Sequence, residues 1–136
     1  MIYRFGFPET GIGNSVNDVV AEFNHPMMRH QQPSLDIVEN ETETVIQVEL
    51  PGVKKEEVAI TFEENVLTVS GERKPYEISP HTQVLVNEMR LREFKRSVRF
   101  ATDVDSAKIT AEMDNGILTV RVPKAEQAKA RTIAIN

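Results

Sequence analysis

The chain has 136 residues, of which 40% are hydrophobic and 27% charged, so a packed core is expected and wholesale disorder is not. The net charge of −5 argues against general binding to nucleic acids or membrane surfaces. Because the chain has no cysteine, disulfides, thiol catalysis and cysteine-ligated zinc are excluded. No apolar run approaches the ~18 residues of a membrane span or forms a signal-peptide core, so a cytoplasmic protein is expected.

Residues 1–33 form an irregular first zone that holds three prolines and three of the six glycines. Within it, the segment SVNDVVAEF places apolar residues at the i, i+3, i+4 and i+7 spacing of one helical face, behind a serine that can cap it. We predict a short amphipathic helix in this arm. The arm either packs on its own core or binds other chains and unfolded clients. The candidate client-binding residues of the arm are Phe5, Phe7, Val16, Val19, Val20, Phe23, Met27 and Met28.

From about residue 34 to residue 123, apolar and polar side chains alternate in short segments, which is the pattern of half-buried strands. Turn signals separate the segments, and Asn115-Gly116 is the strongest hairpin signal among them. The sequence therefore predicts an all-β fold, an antiparallel sandwich or barrel. The alternating positions are Leu35 and Ile37; Ile46, Val48 and Leu50; Val58, Ile60 and Phe62; Leu67 and Val69; Phe94, Val98 and Phe100; Ala107, Ile109, Ala111 and Met113; and Leu118, Val120 and Val122.

One segment, residues 74–87, is long for a connection between strands. It contains two prolines and ends in a small alternating patch at Val84 and Val86. Long loops in compact domains tend to be functional or disordered. A loop that ends in a strand-like patch can pair outside its own sheet.

No pattern in the chain indicates catalysis or a bound cofactor. There is no phosphate-binding loop, and the Gly-Ile-Gly at residues 11–13 lacks the third glycine and the preceding strand of a dinucleotide site. The three histidines are scattered through loops, and the acidic pairs Glu56-Glu57 and Glu63-Glu64 flank turns, where adjacent acids are usually solvated. We therefore predict that the chain is not an enzyme and has no catalytic residue, cofactor or metal site.

Arg96 is a charged residue with the parity of an apolar strand face, which it shares with Phe94, Val98 and Phe100. A buried charge needs a partner. Three explanations remain open: a strand bulge, a guanidinium that reaches water, or an ionic contact at a subunit interface. The basic run around Arg96 lacks interleaved aromatic residues on an exposed face, so nucleic-acid binding is not expected.

The chain ends in Ile133, Ala134, Ile135 and Asn136, although chain ends are usually frayed and wet. Burying one isoleucine contributes about 1.5–3 kcal/mol, and ordering each tail residue costs about 1–2 kcal/mol. The two terms nearly cancel, so one docked tail is weak, whereas several tails in a closed assembly bind strongly through effective concentration. The spacing fits strand addition to a sheet edge. The alternative is a terminal strand folded onto its own domain.

Several ordered motifs over about residues 34–124, together with the tail, resemble the small heat-shock protein family and its alpha-crystallin domain. The stretch VELPGVKKEEVAITFEENVLTVSGER resembles the first half of that domain. The second half is similar to REFKRSVRF…DVDSAKITAEMDNGILTVRVPK, which includes the signature N-G-x-L-T-V-x-V-P-K. The residues Ile-Ala-Ile at 133–135 match the Ile-x-Ile tail motif of the family.

The resemblance implies an immunoglobulin-like antiparallel β-sandwich. Its parts would be a short helical or irregular arm at residues 1–33, an alpha-crystallin domain at residues 34–124 and an extended tail at residues 125–136. Residues 74–87 would be a loop that exchanges between the two subunits of a dimer. The resemblance places the dimer contact at Val84, Val86, Leu35, Ile37 and Arg96.

The resemblance also implies that Ile133 and Ile135 dock in a groove between two strands. The groove would be lined by Val58, Ile60, Phe62, Ile109, Ala111 and Met113. The implied function is that of an ATP-independent holdase chaperone, which binds partly unfolded proteins and prevents their aggregation. It would act as a dimer within a larger homo-oligomer, with no cofactor, nucleic acid or membrane as a partner.

Two other functions remain open from the residues themselves. One is a monomeric co-chaperone or adaptor of the related β-sandwich type. The other is a sandwich enzyme, for which the sequence shows no site. Solution mass and the suppression of client aggregation without ATP separate the three.

Overall fold

The computed structural model describes residues 19–21, as backbone, together with residues 32–126 and 132–136. This part of the chain forms two four-stranded sheets in which every neighbouring pair of strands is antiparallel. The predicted all-β, immunoglobulin-like sandwich is confirmed. The strands are β1 (Val19–Ala21), β2 (Leu35–Glu39), β3 (Glu43–Glu49), β4 (Val58–Glu63), β5 (Val66–Glu72), β6 (Glu93–Phe100), β7 (Thr110–Asp114) and β8 (Ile117–Pro123).

The order of strands decides which backbone edges are open. The first sheet runs β1-β6-β5-β4 and the second runs β2-β3-β8-β7. Strands β1, β4, β2 and β7 are therefore terminal, and each has one edge without a neighbouring strand among the described residues. Two short 3-10 helices, Lys55–Glu57 and Ser106–Lys108, lead into β4 and β7.

The core lies between the sheets because alternate residues of each strand face inward. In β3, Ile46 and Val48 are buried while Gln47 and Glu49 are exposed. This alternation confirms the apolar faces predicted for the central strands. The buried apolar residues are Ile46, Val48, Leu50, Val53, Leu67, Val69, Phe94, Val98, Phe100, Leu118, Val120 and Val122.

One predicted strand starts later than expected. Ala107 is exposed and belongs to the 3-10 helix Ser106–Lys108, so the apolar face predicted from Ala107 onward begins only with Ile109. The Lys108 N–H donates to the Asp105 carbonyl at 3.0 Å, which closes a turn where alternation alone predicts extended backbone. Local turn formation overrides the two-residue period here.

Two hairpins use left-handed backbone. Asn115 at φ 49° and Gly116 at φ 78° connect β7 to β8, so the predicted Asn-Gly hairpin is confirmed. Glu64 at φ 50° and Asn65 at φ 61° connect β4 to β5 in the same conformation. A turn was expected beside Glu63-Glu64, and the structure places Glu64 within it. The turn has no glycine, but asparagine is among the residues that tolerate positive φ.

At Gly71, the backbone of β5 lies very close to the 3-10 helix Lys55–Glu57 and to Phe94 of β6. A Cβ atom at this position would lie 2.2 Å from the Glu57 carbonyl oxygen and 2.8 Å from the Phe94 ring. Phe94 is also the residue opposite Gly71 on β6. The absence of a side chain therefore lets the 3-10 helix and the buried phenylalanine pack against β5.

The predicted amphipathic helix over residues 16–23 is wrong at Val19–Ala21, which form strand β1 against β6. Val19 lies opposite Phe100, and Ala21 lies opposite Val98. Two adjacent β-branched valines favour extended backbone, and the edge of β6 offers backbone partners that stabilise a strand over a short isolated helix. The other apolar arm residues lie outside the described part of the chain: Phe5, Phe7, Val16, Phe23, Met27 and Met28.

Candidate assembly and binding surfaces

The residues predicted to line the tail groove lie on terminal strands of opposite sheets. Val58, Ile60 and Phe62 alternate along β4, and Ala111 and Met113 lie on β7. Ile109 is the residue just before β7 rather than part of it. Five of the six are half-buried and pack against the core: Val58, Ile60, Phe62, Ile109 and Met113. Each of the two strands also presents an open backbone edge, which is what strand addition requires.

Ala111 shows that this face is not closed. Its cross-strand neighbour Val120 is fully buried, so the register directs Ala111 toward the interior as well. Ala111 is nevertheless exposed. A small side chain that points inward and remains accessible leaves room for an apolar group beside it.

The tail does not fill that room in the single chain. Ile133 is 76% exposed and Ile135 is 99% exposed, and residues 132–136 form no strand. The alternative of a terminal strand folded onto its own domain is therefore not what the structure shows. The base of the tail is fixed, because the Lys124 N–H donates to the Thr42 carbonyl at 2.9 Å and the Ala125 N–H donates to the Asp103 carbonyl at 3.1 Å.

A half-buried ion pair supports the tail base. The Lys124 ammonium binds the Glu39 carboxylate at the end of β2, and only 14% of the Lys124 side chain is exposed. Nearby, Arg121 Nη1 donates to Glu43 Oε1 at 2.9 Å. Sequence analysis missed both pairs, since partners that lie 85 and 78 residues apart give no local signal.

The predicted exchange loop is extended, lies outside every strand and has an apolar surface. Residues 74–90 are exposed throughout. The tip is a turn in which the Thr82 N–H donates to the Ser79 carbonyl at 3.0 Å. Within the described chain, residues 83–90 form no backbone hydrogen bond with any other segment. The loop encloses an open cleft of about 480 Å³, and its exposed large apolar residues are Tyr76, Ile78, Val84, Leu85, Val86 and Met89.

Leu35 and Ile37 lie on β2, whose only neighbour among the described strands is β3. Leu35 is opposite Val48 and Ile37 is opposite Ile46. Both residues of β2 are half-buried and pack against the core from the rim of the sheet. No strand in the described part of the chain lies at the outer edge of β2, which is the arrangement that strand addition beside Leu35 and Ile37 requires.

Arg96 lies in an uninterrupted stretch of β6 opposite the buried Val69, so the structure shows no bulge at this position. Its Nη1 donates to the Pro33 carbonyl at 2.8 Å. No carboxylate lies within 4.0 Å of its guanidinium among the described residues, and burial lowers the pKa of Arg96 from its ordinary value. The guanidinium is thus half-buried, and in the described part of the chain one carbonyl is its hydrogen-bond acceptor, although a guanidinium carries five N–H donors.

The described residues contain no group of three or more histidine, aspartate or glutamate side chains placed to hold a metal ion. No helix in that part of the chain is long and apolar enough to cross a membrane. His81, in the exposed loop, has no hydrogen bond among the described contacts.

The chain was compared with known proteins. Residues 36–136 match the model of the Hsp20/alpha crystallin family. Heat shock protein 16 of Schizosaccharomyces pombe is 33% identical over 136 residues, which span 93% of this chain and 92% of that protein. Small heat shock protein C4 of Rickettsia felis is 32% identical over 126 residues, which cover 90% of this chain and 77% of the relative.

Solved structures of small heat-shock proteins are similar to this chain in fold. Heat shock protein 16.0 of Schizosaccharomyces pombe superimposes with a TM-score of 0.66 at 35% identity, covering 77% of this chain and 98% of that structure. A small heat-shock protein of Xylella fastidiosa, described as having a distinct high-order structure, gives a TM-score of 0.65 at 26% identity and covers 79% of this chain and 98% of the other.

The members of this family are non-enzymatic chaperones of the stress response, so the prediction that the chain is not an enzyme is confirmed. The motifs of both halves of the domain, the two-sheet sandwich and the matched span of residues 36–136 all lead to one assignment. This chain belongs to the Hsp20/alpha-crystallin family of small heat-shock proteins.

Proposed function

We propose that this chain is an ATP-independent holdase, which binds partly unfolded proteins and prevents their aggregation as part of a homo-oligomer. One observation carries the proposal: large apolar side chains project from two segments that lie outside the buried core. Ile133 and Ile135 lie in the tail, and the exposed loop holds six more. Exposed apolar residues grouped in this way indicate binding surfaces for other chains.

The dimer is built by the loop at residues 74–87. Within residues 32–126 and 132–136, the extended stretch around Val84 and Val86 has no backbone partner, and no described strand lies at the outer edge of β2. Adding the loop strand of one subunit to β2 of the other gives the backbone groups of both segments hydrogen-bond partners. It also places Val84 and Val86 next to Leu35 and Ile37. Strand addition also removes an aggregation-prone edge.

Arg96 contributes to the same contact. Its half-buried guanidinium uses one donor on the Pro33 carbonyl and has no carboxylate nearby among the described residues. In the dimer, the remaining donors bind a carbonyl or carboxylate of the other subunit. Arg96→Ala is expected to raise the dimer dissociation constant about tenfold. Arg96→Lys keeps the positive charge but loses the planar guanidinium, so it separates the contribution of charge from that of guanidinium hydrogen bonding.

The tail links dimers into a larger assembly. Ile133 and Ile135 are exposed in the single chain, while Ala111 opens toward the interior between β4 and β7. A tail from another subunit fills this groove, and the alternate isoleucines occupy it next to Val58, Ile60, Phe62, Ile109, Ala111 and Met113. Each link is weak, so the assembly exchanges subunits while many links hold it together.

Clients bind to apolar surface that becomes accessible when these links open. The groove is one such surface when the tail leaves it. The arm of residues 1–33 is the other, and it precedes the alpha-crystallin domain of residues 34–124 and the tail of residues 125–136. The proposed location is the cytoplasm, although one relative, from Dictyostelium discoideum, is named as mitochondrial. Partly unfolded proteins and other copies of this chain are the proposed partners, without nucleic acid or membrane.

The proposal is tested by two measurements on the full chain without ATP: solution mass, and light scattering of a heat-labile client enzyme. We expect a mass above that of a dimer and suppressed scattering. Ile133→Ala with Ile135→Ala is expected to shift the mass toward dimers. Thr132→Ala with Asn136→Ala changes the same exposed tail without removing the isoleucines, and this control is expected to keep the assembly. A monomer that leaves scattering unchanged would instead support the monomeric adaptor.

A further inference from the structure

Strand β6 has a backbone edge that faces its own arm. The Phe100 N–H donates to the Asn65 carbonyl at 2.8 Å, on the side of β5. Because successive residues direct their backbone groups to opposite sides, the groups at positions 93, 95, 97 and 99 point away from β5. The Lys95 N–H confirms this direction, since it donates to Gln32 Oε1 at 3.2 Å.

Among the described residues, the cover on this edge is short. Strand β6 has eight residues, whereas β1 has three and lies opposite positions 98–100. Further along, one side-chain amide, that of Gln32, takes the place of a backbone carbonyl opposite Lys95. A strand of three residues is at the lower limit of strand length and contributes few ladder hydrogen bonds. The cover is therefore weakly held compared with the other neighbour of β6, which is β5 with seven residues.

The edge beneath the cover belongs to a strand that contributes three buried apolar residues to the core. Phe94, Val98 and Phe100 are all buried and lie on the inward face of β6. The two β1 residues opposite Phe100 and Val98 are Val19 and Ala21. The position thus accepts an extended antiparallel segment with apolar residues at alternate positions, which adds a row to the core.

We propose that the edge of β6 is a client-binding site and that β1 is its internal occupant. An extended segment of an unfolding client, with small apolar residues at alternate positions, displaces β1 and pairs antiparallel with β6. Backbone hydrogen bonds provide affinity without demanding a particular client sequence, and alternate apolar side chains provide selection for unfolded segments. Until a client arrives, β1 shields an edge that would otherwise promote aggregation. The inference deepens the proposed holdase function and rests on it for the nature of the client.

A peptide with the sequence of residues 15–23, SVNDVVAEF, is the direct probe of this edge. Its labelled form is titrated with the full chain, and a scrambled peptide of equal composition is the control. Val20→Pro removes one N–H from β1 opposite Arg99 and weakens the cover, so we expect it to increase peptide affinity several-fold. Equal binding of the native and scrambled peptides would overturn the inference.

A disulfide between β1 and β6 closes the same edge. Val20 and Arg99 lie directly opposite each other, at a spacing that suits a disulfide, and the native chain has no cysteine to interfere. In the oxidised Val20→Cys, Arg99→Cys variant we expect peptide binding at least tenfold weaker than in the reduced form. The reduced form carries the same substitutions and is its own control. Failure of the disulfide to form would contradict the register of β1, and equal binding in both forms would overturn the proposal.

A second disulfide controls for rigidity alone. Gln47 and Thr119 face each other on β3 and β8 in the other sheet, so Gln47→Cys, Thr119→Cys leaves the β6 edge unchanged. Its oxidised form is expected to bind the peptide as the native chain does, and a loss there would overturn the assignment to β6. The peptide assay requires no client, so it decides this inference separately from the aggregation assay that tests the holdase function. In the aggregation assay, the oxidised Val20→Cys, Arg99→Cys variant is expected to suppress client aggregation less than its reduced form does.

Discussion

The sandwich core and the exposed segments contain the same kinds of apolar residue in opposite environments. Ile46 is 1% exposed between the sheets, whereas Ile135 is 99% exposed in the tail. Val120 is fully buried, whereas Val86 is 75% exposed in the loop. Each strand of the core has cross-strand partners within the chain, whereas residues 83–90 of the loop and residues 132–136 of the tail pair with no strand among the described residues. The contrast indicates that the first set stabilises the fold and that the second set is available for other chains.

The largest expected effect concerns one isoleucine of each set. Ile46→Ala creates a cavity in the centre of the core and is expected to reduce the free energy of unfolding by about 2–5 kcal/mol. Ile135→Ala removes the same atoms from a solvated position and is expected to change that free energy by less than about 0.5 kcal/mol. Denaturant unfolding of both variants measures the difference. Similar losses in the two variants would show that the tail is part of the fold.

The second prediction places charges in the exposed loop. Val84→Asp with Val86→Asp puts two carboxylates where the proposed dimer buries apolar side chains, so we expect the dimer dissociation constant to rise by about two orders of magnitude. His81→Asp with Asn87→Asp adds carboxylates to the same loop at residues that are not part of the proposed apolar contact, and it controls for charge alone. Sedimentation at several protein concentrations measures both variants. A dimer equally stable in all three proteins would exclude the loop as its contact.

The third prediction tests the close packing of β5 against the 3-10 helix Lys55–Glu57 and Phe94 of β6. Gly71→Ala places a Cβ 2.2 Å from the Glu57 carbonyl oxygen and 2.8 Å from the Phe94 ring, so the neighbouring backbone has to shift. We expect a loss of about 1–3 kcal/mol in the free energy of unfolding. Gly52→Ala is the comparison for backbone strain without a steric clash, because Gly52 has space for a Cβ atom but has a φ of 74°, which side chains disfavour. An unchanged Gly71→Ala protein would show that the 3-10 helix can move without cost.

The smallest expected effect comes from Glu57, which connects the core to the loop base. Its carboxylate accepts the Lys54 N–H at 3.0 Å and lies 3.6 Å from the Lys74 ammonium, and these contacts lower the pKa of Glu57. Because the folded pKa is below that of the unfolded chain, the contribution is complete above the unfolded pKa of about 4.3 and is lost as pH falls through the folded pKa. Unfolding of the native chain and Glu57→Gln is compared at pH 7 and at acid pH. We expect the native chain to be the more stable at pH 7, with a difference that shrinks in acid. A difference independent of pH would contradict this assignment.

Much of the fold can be predicted from the sequence because its signals are local. Alternation at Ile46, Val48 and Leu50 indicates which face of a strand is buried, since the strand period is two wherever the strand lies. The Asn115-Gly116 turn is equally local, because left-handed backbone at two successive positions selects these residues. The motif Ile133-Ala134-Ile135 is recognisable for the same reason, and both isoleucines are exposed in the structure.

Other features depend on which segments meet, and no local pattern determines this. Val19–Ala21 has helical spacing in the sequence but forms a strand, because the edge of β6 supplies its hydrogen bonds. The Arg96 donor and the Pro33 carbonyl are 63 residues apart in the chain, and the Lys124 and Glu39 side chains are 85 residues apart. The sequence by itself determined the strands, their buried faces and the tail motif, because these follow from short-range periodicity and turn chemistry. Only the tertiary structure decided the fate of the arm strand, the partner of Arg96 and the anchor of the tail, because each depends on contacts between distant segments.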